Sequence, residues 1–508
     1  LAPYLASLTF GFTFDDALTI LSHRGVKQPF SVDDLFLRDF WGRSFVNTIG
    51  SYRPVATLTY WLDWHLGGGR PWIFHATNLA LYAALLVLAE RFLRRFFASA
   101  LAAPTRLLIV GVFGALAIHT DVVPSATGRA EILAALFTLL ALLAPLRETG
   151  GVRWRDALAC SGASLLAMAC KESALPVAVL APLMAFRWHS GRGTAQRGRI
   201  DVLAAGNAFA LVATIAFRVL RMPWMIPGPE GATANALFIA GPLARITGPA
   251  SAFAHYLGHL FWPCRLAPDY GYAAIPVDHE PMVAAAGFVI AAAAITVAVA
   301  TRRRPVGLTD AALAFAASYV AVSHVVLPAV VFVADRLFFL PSLWIITFAG
   351  LLAERAPRRL RVPFAGLAIA FAGAQAVVAA RDSAHWRDDV TLFTSAVDAQ
   401  PTAARSRRNL AQALADTGRL DDAAWQLIVS MALLTRFPAP VPAKDFPASW
   451  EAMPVPCRLL ALRAESGQYT LFANMKEAQS MFLHLGYAGA AHVIEGWKAA
   501  LPRCPSAR

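Results

Sequence analysis

The chain has 508 residues, of which 57% are hydrophobic and only 15% are charged. Soluble globular proteins are roughly 45–50% apolar and about 25% charged. Together with a mean hydropathy of +0.52, these values exclude a disordered chain, a fibrous repeat protein and an ordinary soluble enzyme. They predict a polytopic membrane protein.

The net charge of +13 raises the question of nucleic-acid binding, but the distribution of charge argues against it. Of the 45 basic residues, five are Lys and the rest are Arg, and they cluster in short gaps between apolar runs. Cytoplasmic loops of membrane proteins have this composition, so we expect no nucleic-acid partner. The excess of Arg over Lys suggests a GC-rich bacterial genome. The five Cys show no metal-binding spacing; Cys457 and Cys504 could pair in an oxidising compartment, which spacing alone does not establish.

Apolar runs predict about eleven transmembrane helices. The first run has 14 residues, about 21 Å of helix, whereas a bilayer core is about 30 Å thick. We therefore expect the chain to open inside its first spanning helix. The runs lie at 1–14, 76–97, 107–120, 130–146, 156–170, 173–186, 202–220, 282–300, 309–331, 336–353 and 361–380.

Arginine-rich gaps between alternate pairs of runs set the predicted orientation, because such loops stay in the cytoplasm. One segment, 236–266, is apolar enough to span but would break this alternation. Three prolines interrupt it, and we interpret it as a re-entrant or interfacial segment on the outer side. The external parts are then loop 15–75, the turns at 120–128 and 171–172, region 221–281, the turn near 331–336 and everything after 381.

The composition becomes that of a soluble domain after residue 380, so we predict a membrane domain at 1–380 and an extracytoplasmic helical domain at 381–508. Small and large apolar residues alternate through 405–434 around Gly418 in the way that a tetratricopeptide hairpin requires. A generic helical hairpin is the alternative. A weaker echo occupies 485–505, beyond a Pro-rich gap. Stacked hairpins form concave peptide-binding surfaces, so we expect this tail to help bind the acceptor rather than to carry chemistry.

Asp15 and Asp16 are the first candidate catalytic residues, because acids at a membrane boundary usually have a function. The alternative is that both simply end the membrane segment in water. Adjacent residues on a helix diverge by about 100°. We therefore expect one carboxylate to face the site and the other to be structural.

Further polar groups are predicted at the same external face. Each has a structural alternative: His75 as a satisfied histidine at a helix start, Glu131 as an acid at a helix N-terminus, and Asp335 with Arg336 as a pair. Lys171 and Glu172 are neighbours that cannot face each other on a helix, so each needs its own partner. An acid could deprotonate an acceptor hydroxyl while cations stabilise a departing phosphate. The candidates for binding the donor phosphate and sugar are Arg53, His75, Arg129, Glu131, Lys171, Glu172, Asp335 and Arg336.

Nine fragments, in this order, resemble the transmembrane and tetratricopeptide-repeat O-mannosyltransferase family. The resemblance covers nearly the whole chain. The fragments are FDDALTI, DFWG, SYRPVATLTYWLDW, PWIFHATNLALY, HTDVVPSATGRAEILAALF, ACKESALPV, YLGHLFWPCRLAPDYG, FVADRLFFLPS and HWRDDVTLFTSAVDAQPTAARSRRNLAQALADTGRLDDA.

The resemblance implies a mainly α, GT-C type membrane glycosyltransferase that moves mannose from a polyprenyl- or dolichyl-phosphate to Ser or Thr of a protein. It implies that Asp15, the first acid of the pair, is the catalytic base, and it matches Arg129, Lys171–Glu172 and Asp335–Arg336 to family positions. We expect no cofactor and no metal, because Arg and Lys can neutralise a single phosphate. The tail is shorter than in eukaryotic members, and a bacterial source would favour a shorter polyprenol in an inner membrane. Two alternatives stay open: a GT-C enzyme acting on a glycan or lipid, and a non-catalytic membrane scaffold.

Overall fold

The structure is a computed structural model that describes residues 1–45, 48, 50–148, 151–193, 197–222, 234–271, 274–275, 280–302, 306–326, 328–435, 478–480, 483 and 488–500. In this part of the chain the secondary structure is helical apart from two isolated β-bridges, which confirms the mainly α prediction. The helices used below are α1 (Pro54–Gly67), α2 (Pro71–Phe96), α3 (Ala103–Ala115), α4 (Arg129–Leu143), α5 (Trp154–Cys170), α6 (Val177–Ser190), α7 (Arg197–Arg221), α8 (Pro242–Phe261), α9 (Pro281–Thr301), α10 (Leu308–Val320), α11 (Phe339–Arg355), α12 (Arg358–Ser383), α13 (Asp389–Ala399), α14 (Ala404–Asp416), α15 (Leu420–Thr435) and α16 (Ala488–Ala500).

Five helical segments in the described residues are long and apolar enough to cross a bilayer: Pro71–Phe96, Gly198–Arg221, Pro281–Thr301, Asp335–Arg355 and Arg358–Arg387. Their outer faces carry large exposed apolar side chains, such as Phe209, Met282 and Val362. Water would penalise so much exposed apolar surface, whereas lipid would not. The chain is therefore a multi-pass membrane protein, while the full count of eleven spans stays a prediction.

The first apolar run differs from the predicted spanning helix. Ala2–Thr9 forms a 3-10 helix, Phe10 is extended, and the chain then continues without regular secondary structure to Thr13. Non-helical backbone is tolerated at membrane depth where protein covers its polar groups. Here Gly11 donates its N–H to the Arg387 carbonyl at 3.1 Å, and its own carbonyl lies 3.2 Å from His75 Nε2.

Two further segments refine the predicted runs. The run at 309–331 forms α10 only as far as Val320, and the chain beyond it turns through His324. That ring accepts the N–H of Ala329 at 3.0 Å and lies 2.7 Å from the Phe332 carbonyl oxygen, so it satisfies backbone that a continued helix would have paired. The run at 236–266 contains α8, which packs along α9. Its re-entrant placement stays a prediction.

The tail begins directly at the end of α12. Helices α14 and α15 form an antiparallel hairpin over the predicted segment, and Gly418 takes a positive φ of 79° in the turn between them. The boundary at 380–381 and the tetratricopeptide assignment stay predictions. The Pro-rich gap, Cys457 and Cys504 lie outside the described residues.

Candidate active site

Asp16 fastens the first loop to a neighbouring turn. Its two carboxylate oxygens accept separate backbone N–H groups, from Thr13 at 3.1 Å and from Thr127 at 2.8 Å. The side chain is completely buried. Burial raises the pKa of Asp16 to about 7, although these two N–H groups act in the opposite direction. Because both of its oxygens already accept hydrogen bonds from the backbone, the Asp16 carboxylate stabilises the conformation of the loop.

Asp15 is partly buried beside it and differs in its partners. Within the described part of the chain, no group hydrogen-bonds to the Asp15 carboxylate. Burial raises the pKa of Asp15, while the nearby cations Arg336, Arg405 and Arg53 pull it down in part. Asp15 is therefore a carboxylate with free lone pairs at the meeting point of several loops.

Phe14 gives this loop its sharp turn. Its φ is +54°, a left-handed conformation that costs a non-glycine residue about 1–2 kcal/mol. Its N–H donates to Asp389 Oδ1 at 2.7 Å, and its ring packs edge-on against Phe393 at 5.4 Å between centroids. Both partners belong to α13 of the tail.

Arg129 is fully buried and satisfied by protein groups. Its Nη2 lies 2.5 Å from Asp63 Oδ2 and 2.9 Å from the Phe74 carbonyl oxygen, and its Nε donates to Asn78 at 2.8 Å. The guanidinium also lies 5.0 Å from the centre of the Tyr60 ring. These contacts hold α1, α2 and α4 together and favour a structural role over the predicted contact with the donor.

Lys171 and Glu172 have separate partners, as their adjacency requires. Lys171 Nζ pairs with Glu131 in a buried contact. Burial lowers the pKa of Lys171, with Glu131 opposing the shift. Glu172 accepts from Arg218 at 2.9 Å and lies 3.3 Å from Arg53. Burial alone would raise the pKa of Glu172, but these two arginines hold it below its usual range.

Asp335 and Arg336 do not pair with each other. Asp335 accepts from Tyr270 at 3.0 Å and lies 2.8 Å from His259 Nδ1. Arg336 binds Asp121 through its backbone N–H and through Nη1, both at 3.1 Å, and Nη1 also donates to the Pro268 carbonyl at 2.7 Å. The adjacent residues thus have different partners, although both contact the segment from Pro268 to Tyr270.

His75 is completely buried in the first turns of α2, and its Nε2 contacts the Gly11 carbonyl. This contact favours the structural alternative for His75 over donor binding. Through Gly11, the His75 side chain supports the loop that carries Asp15.

Several groups of this cluster are absent from the candidates that the sequence predicts, and three of them lie close to Asp15 or its loop. Arg405 of α14 forms an ion pair with the buried Asp269 at 3.2 Å, and Asp389 of α13 holds Phe14. Asp269 lies within the quoted fragment that ends in LAPDYG, and Asp389 and Arg405 both lie within the fragment that begins with HWRDDV, so the motifs contained all three. Arg405 nevertheless looks like an ordinary polar position on an amphipathic helix, and its immediate neighbours do not indicate its role.

The comparisons with known proteins agree with the motif resemblance. The chain is 32% identical over 273 residues to the protein O-mannosyl-transferase Tmtc2 of Drosophila melanogaster, which covers 51% of the chain and 27% of that protein. It is 26% identical over 441 residues to the protein O-mannosyl-transferase F38B6.6 of Caenorhabditis elegans, covering 83% and 59%. It is 31% identical over 181 residues to the human protein O-mannosyl-transferase TMTC3, covering 35% and 19%.

The chain thus spans between 19% and 59% of the length of these three relatives. No family model and no solved structure gives a significant match. The TMTC-like resemblance predicted from the nine fragments is confirmed by these similarities.

Proposed function

We propose that this chain is a membrane glycosyltransferase that moves a sugar, mannose by its resemblance to the TMTC proteins, from a polyprenyl-phosphate donor to Ser or Thr hydroxyls of a protein. The observation that carries the proposal is the contrast within the acidic pair. Asp16 is engaged on both oxygens by backbone N–H groups, whereas no described group hydrogen-bonds to the Asp15 carboxylate. A general base needs free lone pairs and a raised pKa, and Asp15 combines the two.

The proposed reaction is a single displacement. Asp15 takes the proton of the acceptor hydroxyl. At the same time the oxygen of that hydroxyl attacks the anomeric carbon of the sugar. The bond from that carbon to the phosphate oxygen breaks, and the lipid phosphate leaves with the electron pair. Because attack and departure occur on opposite faces, the anomeric centre inverts. The phosphate is a good leaving group, so the reaction needs no acid opposite Asp15.

Arg336 is the best candidate to bind the departing phosphate. Its side-chain hydrogen bonds to described residues all use Nη1. Nη2 and Nε are therefore left for a phosphate, a ligand that suits the planar guanidinium. Of the nearby cations, Arg336 also lowers the pKa of Asp15 the most. Arg53 stacks 4.5 Å from the centre of the Phe40 ring and is the second candidate. Arg129 and Lys171 are already engaged in buried pairs, which supports structural roles for both.

The arrangement of charge supports an extracytoplasmic site. The predicted cytoplasmic arginines pair at the other end of the helices: Arg187 with Asp310, and Arg95 with Glu148 at 2.5 Å. The positive-inside rule favours this end for the cytoplasm. The Asp15 cluster and the tail then face the bacterial exterior, or the endoplasmic reticulum lumen in a eukaryote.

Transfer can be tested directly with purified protein. We expect the full chain in detergent or liposomes to transfer label from radiolabelled polyprenyl-phosphate-mannose to a Ser/Thr-containing peptide. Label that reaches a glycan or lipid instead would favour the related enzyme class. Absence of transfer to all three acceptor types, with the donor bound or unbound, would overturn the proposed activity.

The pH dependence of transfer should report the environment of Asp15. Only the deprotonated carboxylate acts as a base, so kcat/KM should fall as the pH falls through its pKa. Burial raises that pKa above the ordinary 3.8, so the acidic limb should lie above this value. Arg405→Gln removes a cation that lowers the pKa of Asp15, and it should move the limb to still higher pH.

Arg419→Gln is the matched control, because Arg419 is exposed and pairs with Asp422 on the surface of the tail. Its pH profile should coincide with that of the unmodified protein. An acidic limb that Arg405→Gln leaves in place would contradict the assignment of the limb to Asp15.

A further inference from the structure

The tail contacts the loop that carries Asp15 through three interactions. Gly11 donates to the Arg387 carbonyl at 3.1 Å, and Phe14 donates to Asp389 Oδ1 at 2.7 Å. The Phe14 ring packs against Phe393. These contacts involve residues immediately before Asp15, and they come from the short 3-10 helix Ala384–Arg387 that follows α12 and from α13. The tail thus contacts the loop that carries the candidate base directly.

The contact with Asp389 acts on a residue whose backbone is strained. A non-glycine residue keeps a φ of +54° only where its surroundings enforce that conformation. Asp389 accepts the Phe14 N–H, and Phe393 packs against the Phe14 ring. The two contacts therefore fix both the backbone and the side chain of Phe14. Asp15 follows Phe14 directly, and its direction is therefore set by the Phe14 backbone.

A second contact ties the tail to the same cluster. Arg405 of α14 pairs with the buried Asp269 at 3.2 Å, and both lie close enough to affect the pKa of Asp15. A cavity lined by Asp121 and Asp335 is also lined by the tail residues His385 and Ser395. The tail therefore contributes to the charge around Asp15 and to the geometry of its loop.

We infer that Asp389 is a positioning residue for the Asp15 base, and that segment 387–405 of the tail is part of the catalytic unit rather than a separate acceptor-binding module. The inference rests on the proposed function for its kinetic readout. It differs from the expectation that the tail serves acceptor capture. Asp389 does not touch the reacting atoms; it acts by holding Phe14, which sets where the Asp15 carboxylate points.

The first test compares Asp389→Ala with Asp389→Asn in the full-length protein. The alanine variant loses the acceptor for the Phe14 N–H, whereas asparagine retains a carbonyl oxygen at the same place. A displacement of about 1 Å in a catalytic group can cost about 100-fold. We expect Asp389→Ala to lower kcat by about that factor with the KM for donor and acceptor nearly unchanged. Asp389→Asn should restore most of kcat. An equal loss in both variants, or a rise in acceptor KM alone, would overturn the inference.

Asp422→Ala is the matched control, since Asp422 is a half-exposed acid of the tail that pairs with Arg419. It should keep the kinetics of the unmodified protein. A loss of kcat in Asp422→Ala as large as that in Asp389→Ala would show that the tail responds to any change, and would count against the specific role of Asp389.

A double variant separates positioning from general destabilisation. If Asp389 acts through Asp15, removing it from an Asp15→Asn protein should cost little further activity, because the base is already gone. If Asp389 acts by another route, the two losses should multiply, and the inference fails. Retention of near-normal kcat by Asp15→Asn alone would instead overturn the base assignment of the proposed function.

Hydrogen exchange gives a readout that needs no enzymatic activity. The amide of Phe14 should be protected in the unmodified protein and in Asp389→Asn, and should exchange about tenfold faster in Asp389→Ala. Unchanged exchange of Phe14 in Asp389→Ala would overturn the inference even where no transfer can be measured. Faster exchange without detectable transfer in the unmodified protein would support the loop contact and reject the proposed function alone.

Discussion

Asp15→Asn should reduce sugar transfer by about 10²–10⁴-fold, the usual contribution of a positioned general base. The substitution removes proton-accepting ability and leaves the shape of the side chain intact. No described group hydrogen-bonds to this carboxylate, so the variant should insert and unfold like the unmodified protein. Transfer of radiolabelled sugar and thermal unfolding in detergent should be measured on the same preparation.

Asp16→Ala is the companion variant. Asp15→Asn should leave the free energy of unfolding unchanged, whereas Asp16→Ala should lower it. Asp16→Ala leaves the buried N–H of Thr13 and the half-buried N–H of Thr127 without their acceptor. Each unsatisfied group costs about 1–3 kcal/mol, so the free energy of unfolding should fall by several kcal/mol. Near-normal turnover in Asp15→Asn would refute its assignment as the base. Unchanged stability in Asp16→Ala would refute the structural role of its neighbour.

Arg129→Met should be among the most destabilising single changes in the membrane domain. The substitution removes the positive charge beside the buried Asp63 carboxylate. That carboxylate keeps its hydrogen bond from the Thr77 hydroxyl at 2.9 Å, which carries no charge. Removing one partner of a buried ion pair costs about 3–5 kcal/mol. We expect a large fall in the thermal unfolding temperature, and a double variant with Asp63→Asn should recover part of it because the uncompensated charge is gone.

Arg147→Met provides the comparison, since Arg129 is fully buried, whereas Arg147 is about one-third exposed in its pair with Asp156 at 3.4 Å. Pairs of that kind contribute about 0–1 kcal/mol, so this variant should unfold almost normally. An Arg129→Met protein with normal stability and a raised donor KM would restore the interpretation of Arg129 as a ligand of the donor.

Apolar runs fix where each helix begins and ends, so the sequence predicts which residues should lie at one end of the helices. It also predicted that Lys171 and Glu172 need separate partners, because adjacent side chains diverge. It did not predict that Arg129 would be enclosed. Its acidic partner is Asp63 of α1, a residue that no local pattern connects with the start of α4. Hydropathy identifies the element on which a residue lies but carries no information about which distant charge neutralises it.

The same limit explains the first apolar run. Its composition is that of a spanning helix, yet the backbone of Gly11 is paired with Arg387 and His75 instead of with its own helix. A tertiary contact there overrides local preference. The expectation that Asp15 and Asp16 would divide into one free and one structural acid followed from helix geometry. The assignment of these roles required the hydrogen bonds of Asp16.

The hydrogen bond between Phe14 and Asp389 joins residues 375 positions apart. At a synthesis rate of about 5–20 residues per second, the first loop waits about 20–75 s for this partner to leave the ribosome. During that interval the Phe14 N–H lacks its Asp389 acceptor. If Asp15 is the base proposed above, chains that end before Asp389 should insert into the membrane without transferring sugar.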